Sequence, residues 1–232
     1  MTIDDPGLWC EINPAPPSGR GTLFLDRDGV IIADTHYLHR VEDLCLIAGA
    51  ADAIARCNAL GIRVVVVTNQ AGIGRGYYGW DDFRGVQAAL AAELASTGAH
   101  LDAVLACAYH EEGREPLRVA DHPWRKPKPG MILEAASRMN INLARSWIVG
   151  DRAHDLAAGQ AGWLPGGTLL SADPKERQAA FQLDDGGFIV ETAANLADAV
   201  GVLIDRGHFW DHELSRRGPL TLVERSTRNT KH

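Results

Sequence analysis

Four consecutive valines at 64–67 constrain this chain more than any other feature. β-Branching at every position disfavours a helix, and an unbroken apolar run suits a strand covered on both faces. Such a strand belongs inside a parallel sheet flanked by helices. The flanks agree. Segment 49–60 is Ala-rich, has apolar residues at helical spacing and ends at Gly61. Segment 80–97 reads as a long helix with Asp81 and Asp82 in its first turn, where carboxylates answer the helix dipole. Further periodic or short apolar runs predict strands at 22–25, 103–109, 147–149, 168–170 and 188–190. They also predict helices at 130–140, 153–161 and 193–205. Strands alternating with helices at this spacing predict an α/β fold with a doubly wound, mostly parallel sheet.

Composition bounds the rest. A chain of 232 residues, 46% apolar and 23% charged, suits one large globular domain with appendages. The expected division is a Pro-rich arm over 1–20, one α/β domain over 21–212 and a basic tail over 213–232. The tail holds five cations against two acids and reads as a solvated terminus; holding an anionic substrate or a partner is the alternative. The net charge of −7 argues against a nucleic-acid partner, because phosphate-backbone binding needs a basic surface. No apolar run approaches the roughly 20 residues that cross a bilayer, so no membrane association is expected. Residues 1–20 open with acids and carry no basic-then-apolar leader pattern. Cys10, Cys45, Cys57 and Cys107 are widely spaced and resemble no disulfide framework, which predicts a reducing, cytoplasmic location. A monomer is expected.

Four polar clusters follow four of the predicted strands: Asp26-Arg27-Asp28-Gly29, Thr68-Asn69-Gln70, Arg125-Lys126-Pro127-Lys128 and Gly150-Asp151-Arg152, with Asp155 one helical turn further on. Each alone has a bland reading as a turn, a helix cap or a solvated basic loop. Together they sit where an open parallel sheet binds ligands, beyond the carboxyl ends of its strands. The pattern predicts phosphoryl transfer assisted by Mg²⁺. Asp26, ending a buried strand, can attack phosphorus and form an aspartyl-phosphate. Asp28, two extended residues on, can act as general acid and then base. Asp26, Asp28 and Asp151 are the candidate metal ligands, completed by a backbone carbonyl and waters. Thr68 and Lys126 are the natural donors to the phosphoryl oxygens.

With these motifs in this order, the chain resembles the haloacid dehalogenase superfamily of phosphatases over residues 21–170. The wording FLDRDGVI, VVVTNQAGIGRG, RKPKPGMI and IVGDRAHD resembles the histidinol-phosphatase-like subfamily. Within it, the likeness is to members that remove the 7-phosphate of D-glycero-D-manno-heptose 1,7-bisphosphate on the route to lipopolysaccharide. The resemblance implies Asp26, Asp28, Thr68 and Lys126 as catalytic residues and Asp151 as a Mg²⁺ ligand. It also implies substrate contacts from Asp34, Tyr37, Asn69, Arg125 and Arg152. Arg152 stands where many members carry Lys, a planar fork in place of a point charge. Histidinol phosphate or another small phosphate ester is the rival substrate. A non-catalytic phospho-ligand module or a phosphotransferase is a more distant reading.

Two departures from the family's range matter. Members often carry a zinc loop built as Cys-x-His…Cys-x-Cys. Here Cys107 remains, but Tyr109 and Trp124 stand where a His and a Cys are expected. Structural zinc is therefore not expected, and packing of Trp124 with proline stiffness is expected to hold the loop. A degenerate site from Cys107, His110, Asp121 and His122 is the alternative. The gaps at 31–45 and 71–124 leave no room for a cap domain, so a capless enzyme is expected. Its specificity would come from loops at 34–37, 72–78 and 111–124.

Overall fold

The computed structural model describes residues 4–13 and 20–210. Its centre is a seven-stranded sheet: β1 (Leu8–Ile12), β2 (Thr22–Leu25), β3 (Arg63–Asn69), β4 (Ala103–Cys107), β5 (Trp147–Gly150), β6 (Gly166–Leu169) and β7 (Ile189–Thr192). The order across the sheet is β1-β4-β3-β2-β5-β6-β7, parallel throughout except for β1, which runs antiparallel to β4. The helices are α1 (Ala50–Ala59), α2 (Ala71–Gly74), α3 (Trp80–Ser96), α4 (Gly130–Met139), α5 (Ala153–Ala161), α6 (Pro174–Phe181) and α7 (Leu196–Asp205).

Strand periodicity sorts the side chains into two cores. Leu23, Leu25, Val64, Val66, Val104, Trp147 and Val149 face one side, where they meet Ile54, Phe83, Leu90 and Leu203. Phe24, Val65, Val67, Leu105, Cys107 and Ile148 face the other, against Met131, Ile132, Leu156 and Phe188. Burial on both faces is what the valine run requires, and it gives the predicted doubly wound sheet. No separate cap domain is inserted among the described residues, and no helix among them is long and apolar enough to cross a membrane.

Three elements went unpredicted. The segment read as a surface arm contains β1, an edge strand whose Leu8, Cys10 and Ile12 pack on the second core. The short α2 follows β3 directly. Helix α6 starts from Asp173, which caps the Lys175 N–H at 2.9 Å, with Pro174 in the first turn. Residues 213–232, read as a basic tail, lie outside the described residues.

The chain leaves β2 toward β3 and β4, and leaves β5 toward β6 and β7. The sheet therefore switches direction between β2 and β5, and a crevice opens at their carboxyl ends.

Candidate active site

A cleft of about 350 Å³ lies at this edge. Asp26 directly follows β2, Thr68 and Asn69 end β3, and Asp151 follows β5. Two glycines allow the close approach. Gly29 has φ +78, and a Cβ there would lie 2.6 Å from Asp151 Oδ2. A Cβ on Gly150 would lie 2.3 Å from the Asp155 Cβ, so only glycine lets the start of α5 come this near.

Lys126 is the pivot of the floor. Its ammonium lies 3.0 Å from Asp26 Oδ1 and 2.6 Å from Asp155 Oδ1, and all three residues are buried. Burial opposes charge on both Lys126 and Asp155. Their mutual attraction wins, raising the lysine pKa and lowering that of the carboxyl. Asn69 clamps the lysine backbone, accepting the Lys126 N–H at 3.0 Å and donating to its carbonyl oxygen at 3.1 Å. Asn69 lines the cleft, yet its amide is committed to positioning Lys126.

Asp28 is held from behind. Arg27, buried, forks onto both of its oxygens at 3.1 Å and reaches Gln87 at 3.1 Å, with its guanidinium over the Phe83 ring. Gln70 links the pair to β3: its amide nitrogen donates to Asp28 Oδ2 at 3.2 Å and to Thr68 Oγ1 at 2.9 Å. Its oxygen accepts from Arg27 at 3.3 Å and from Tyr78 Oη at 2.7 Å. Thr68 thus receives a hydrogen bond and keeps its own hydroxyl proton to donate.

The carboxylates that converge are Asp26, Asp151 and Asp155, with oxygen atoms within 4.8 Å of one another. Asp28, the third expected ligand, lies outside this group, and Arg27 donates to both of its side-chain oxygens. Burial, and after it the carboxylates of Asp155, Asp28 and Asp151, push the Asp26 carboxyl up to about 7 against the pull of Lys126. Burial and Asp155 push Asp151 up to about 6. Crowded hard oxygen donors that resist ionisation suit a hard divalent cation such as Mg²⁺, which would relieve both shifts.

The remaining predicted residues form the rim. Asp34 accepts the His36 N–H at 2.9 Å. Tyr37, with φ +66, receives a hydrogen bond from Arg75. Arg125 donates to the Tyr109 carbonyl oxygen at 3.1 Å. Arg152 lies 3.4 Å from Asp151 and 3.5 Å from Glu176. All four line the cleft, together with His154, with Arg75 and Tyr78 of the 72–78 loop expected to set specificity, and with His110, expected only as an alternative zinc ligand.

The residues of the alternative zinc site each have a protein partner. Cys107 is buried, its thiol pushed up to about 12 by burial, and lies 3.9 Å from His122 Nδ1. That nitrogen accepts the Trp124 N–H at 3.2 Å, and the His122 ring stacks on Tyr109. Asp121 pairs with Lys128 at 2.9 Å, and His110 turns toward Arg75. Trp124 packs on the second core.

A family model for haloacid dehalogenase-like hydrolases matches residues 19–162. The chain belongs to that family. Within it the chain is a phosphatase. It is 45% identical over 173 residues to a D-glycero-β-D-manno-heptose-1,7-bisphosphate 7-phosphatase of Mesorhizobium japonicum, covering 74% of this chain and 80% of that one. It is 41% identical over 151 residues to a Burkholderia mallei enzyme named for the α-anomer, covering 65% and 79%. Among solved structures, a HAD-like phosphatase from Mesorhizobium loti superposes with a TM-score of 0.77 at 38% identity, covering 90% of this chain and 98% of that one. The D,D-heptose 1,7-bisphosphate phosphatase of B. bronchiseptica, complexed with magnesium and phosphate, gives 0.66 at 28% identity, covering 80% and 99%.

Proposed function

We propose that this phosphatase removes the 7-phosphate of D-glycero-D-manno-heptose 1,7-bisphosphate through an aspartyl-phosphate on Asp26. The observation that carries the reading is Asp26 at the end of β2, ion-paired to buried Lys126 and converging with Asp151, in a chain 45% identical to a phosphatase of that name. Asp26 attacks phosphorus, and Asp28 delivers a proton to the departing sugar oxygen. Asp28 then takes a proton from the water that attacks the aspartyl-phosphate, returning Asp26 and releasing inorganic phosphate. Lys126 and the Thr68 hydroxyl hold the phosphoryl oxygens as charge spreads over them.

Asp26 and Asp151, with Asp155 beside them, would hold Mg²⁺. Held there, the cation would supply positive charge to these carboxylates and to the phosphoryl oxygens. Lys126, 3.0 Å from Asp26 Oδ1, favours the anionic form of that carboxyl. Arg125 and Arg152 supply local positive charge against the net −7 of the chain, and Asp34 and Tyr37 border the sugar. Four unpaired thiols among the described residues support a cytoplasmic enzyme.

Steady-state kinetics with Mg²⁺ on both anomers of the heptose bisphosphate and on histidinol phosphate test this reading. Higher kcat/KM on a heptose anomer is expected. Preference for histidinol phosphate would overturn it.

A further inference from the structure

The rim holds a cluster that the phosphoryl chemistry does not use. Arg75, directly after α2, donates from Nη1 to Tyr37 Oη and from Nη2 to Glu112 Oε2 at 2.5 Å. His110 lies beside it, Nε2 at 3.3 Å from Arg75 Nη2. The other ring nitrogen, Nδ1, accepts the Glu112 backbone N–H at 3.0 Å. A neutral imidazole has one donor and one acceptor nitrogen. With Nδ1 accepting, the proton lies on Nε2, so Nε2–H and the second Nη2 proton face each other as two donors. Burial, then the charges of Arg125 and Arg75, lower the His110 pKa and keep the ring neutral. Arg75 also carries a buried Nε without a hydrogen-bond partner. Two donors at this distance with no acceptor between them repel; an anionic oxygen seated against both would satisfy them. Arg75, His110 and Arg125 line the same cleft as Asp26, whereas the Glu112 side chain is 68% exposed and is not part of its lining.

We propose that Arg75 and His110 form a specificity-determining donor pair for a second anionic group on the substrate, the phosphate that is not transferred. The inference rests on the sugar-bisphosphate reading of the cleft. Lys126 and Thr68 serve the phosphoryl group at Asp26, and the rim pair serves the far end of the same molecule. Glu112 is a positioning residue: its carboxylate aims the guanidinium and its backbone N–H selects the His110 tautomer. The Arg75 bond to Tyr37 ties the 34–40 loop to the same ligand.

Calorimetric binding of the heptose 1,7-bisphosphate and of the heptose 7-monophosphate to Mg²⁺-loaded Asp26→Asn protein tests the pair. Added Arg75→Gln or His110→Ala is expected to lower the preference for the bisphosphate over the monophosphate by about 10-fold each. His110→Gln, whose amide can donate, is expected to retain more of that preference than His110→Ala. Equal weakening of both ligands is what a purely structural role predicts, and it would overturn the proposal. So would a parent protein that binds the two ligands equally. Wild-type turnover reports separately on the function: failure to hydrolyse either ester contradicts the 7-phosphatase reading, while the binding ratio still decides the donor pair.

Discussion

At the floor of the cleft Lys126 is 3% exposed and lies between two carboxylates; at the rim Tyr37 is 38% exposed and is held by surface contacts with Arg75 and the Tyr77 ring. The floor is over-determined. Asn69 fixes the Lys126 backbone, Asp155 fixes its ammonium, and Arg27 with Gln70 fixes Asp28. The rim is built from three loops joined mainly by side-chain contacts at Arg75. Chemistry common to all phosphate esters needs a fixed charge array, because the donors must be aimed before charge develops. Recognition of one ester needs contacts that can differ without disturbing that array.

Substitutions should separate the two regions. Lys126→Met leaves Asp26 and Asp155 buried without their cation. It should cost about 3–5 kcal/mol by urea denaturation and remove turnover. A loss below 1 kcal/mol would show that the floor is not held by this pair.

Cation removal should act on the floor alone. EDTA should abolish turnover and Mg²⁺ should restore it. The carboxyls of Asp26 and Asp151 rise from 3.8 to about 7 and about 6 in the metal-free fold. Their contribution to metal-free stability is therefore complete below pH 3.8 and is lost as pH rises through those values. The Mg²⁺-induced increase in Tm should accordingly be small near pH 4, grow as pH rises and level off above about pH 7. A shift independent of pH would contradict this.

Gln70→Leu should be milder. It removes one hydrogen bond each from Asp28, Thr68, Arg27 and Tyr78 without removing a reacting group, so kcat should fall about 10- to 100-fold. Tyr37→Phe should be the smallest change: KM for the bisphosphate should rise about 3- to 10-fold, with stability within about 0.5 kcal/mol. A Tyr37→Phe protein that unfolds with Lys126→Met-like severity would erase the distinction between floor and rim.

The floor was more legible in the sequence than the rim. Asp26, Thr68 and Asp151 each end or follow a β-rich run, so topology brings them to one edge, and Lys126 reaches that edge through the long loop between β4 and α4. The grip of Asp155 on Lys126 was less legible, because it depends on Gly150 letting α5 approach, which spacing does not reveal. Gln70 stood inside a recognised cluster, but its four partners come from the turn after β2, from β3 and from the loop before α3. Arg75 and His110 lie in loops without periodicity, and only the tertiary fold sets them 3.3 Å apart. Among the elements, α6 carried a usable signal in Asp173-Pro174, an N-cap followed by proline. Strand β1 carried little, since five residues between prolines gain their identity from pairing with β4.

Turnover of the heptose 1,7-bisphosphate by Asp26→Asn protein, with Mg²⁺ and with the wild-type circular dichroism spectrum, tests the nucleophile most directly. Loss of kcat by roughly 10⁴-fold or more is expected, because removing a nucleophile forfeits the whole covalent route. Activity within tenfold of wild type would contradict an aspartyl-phosphate on Asp26.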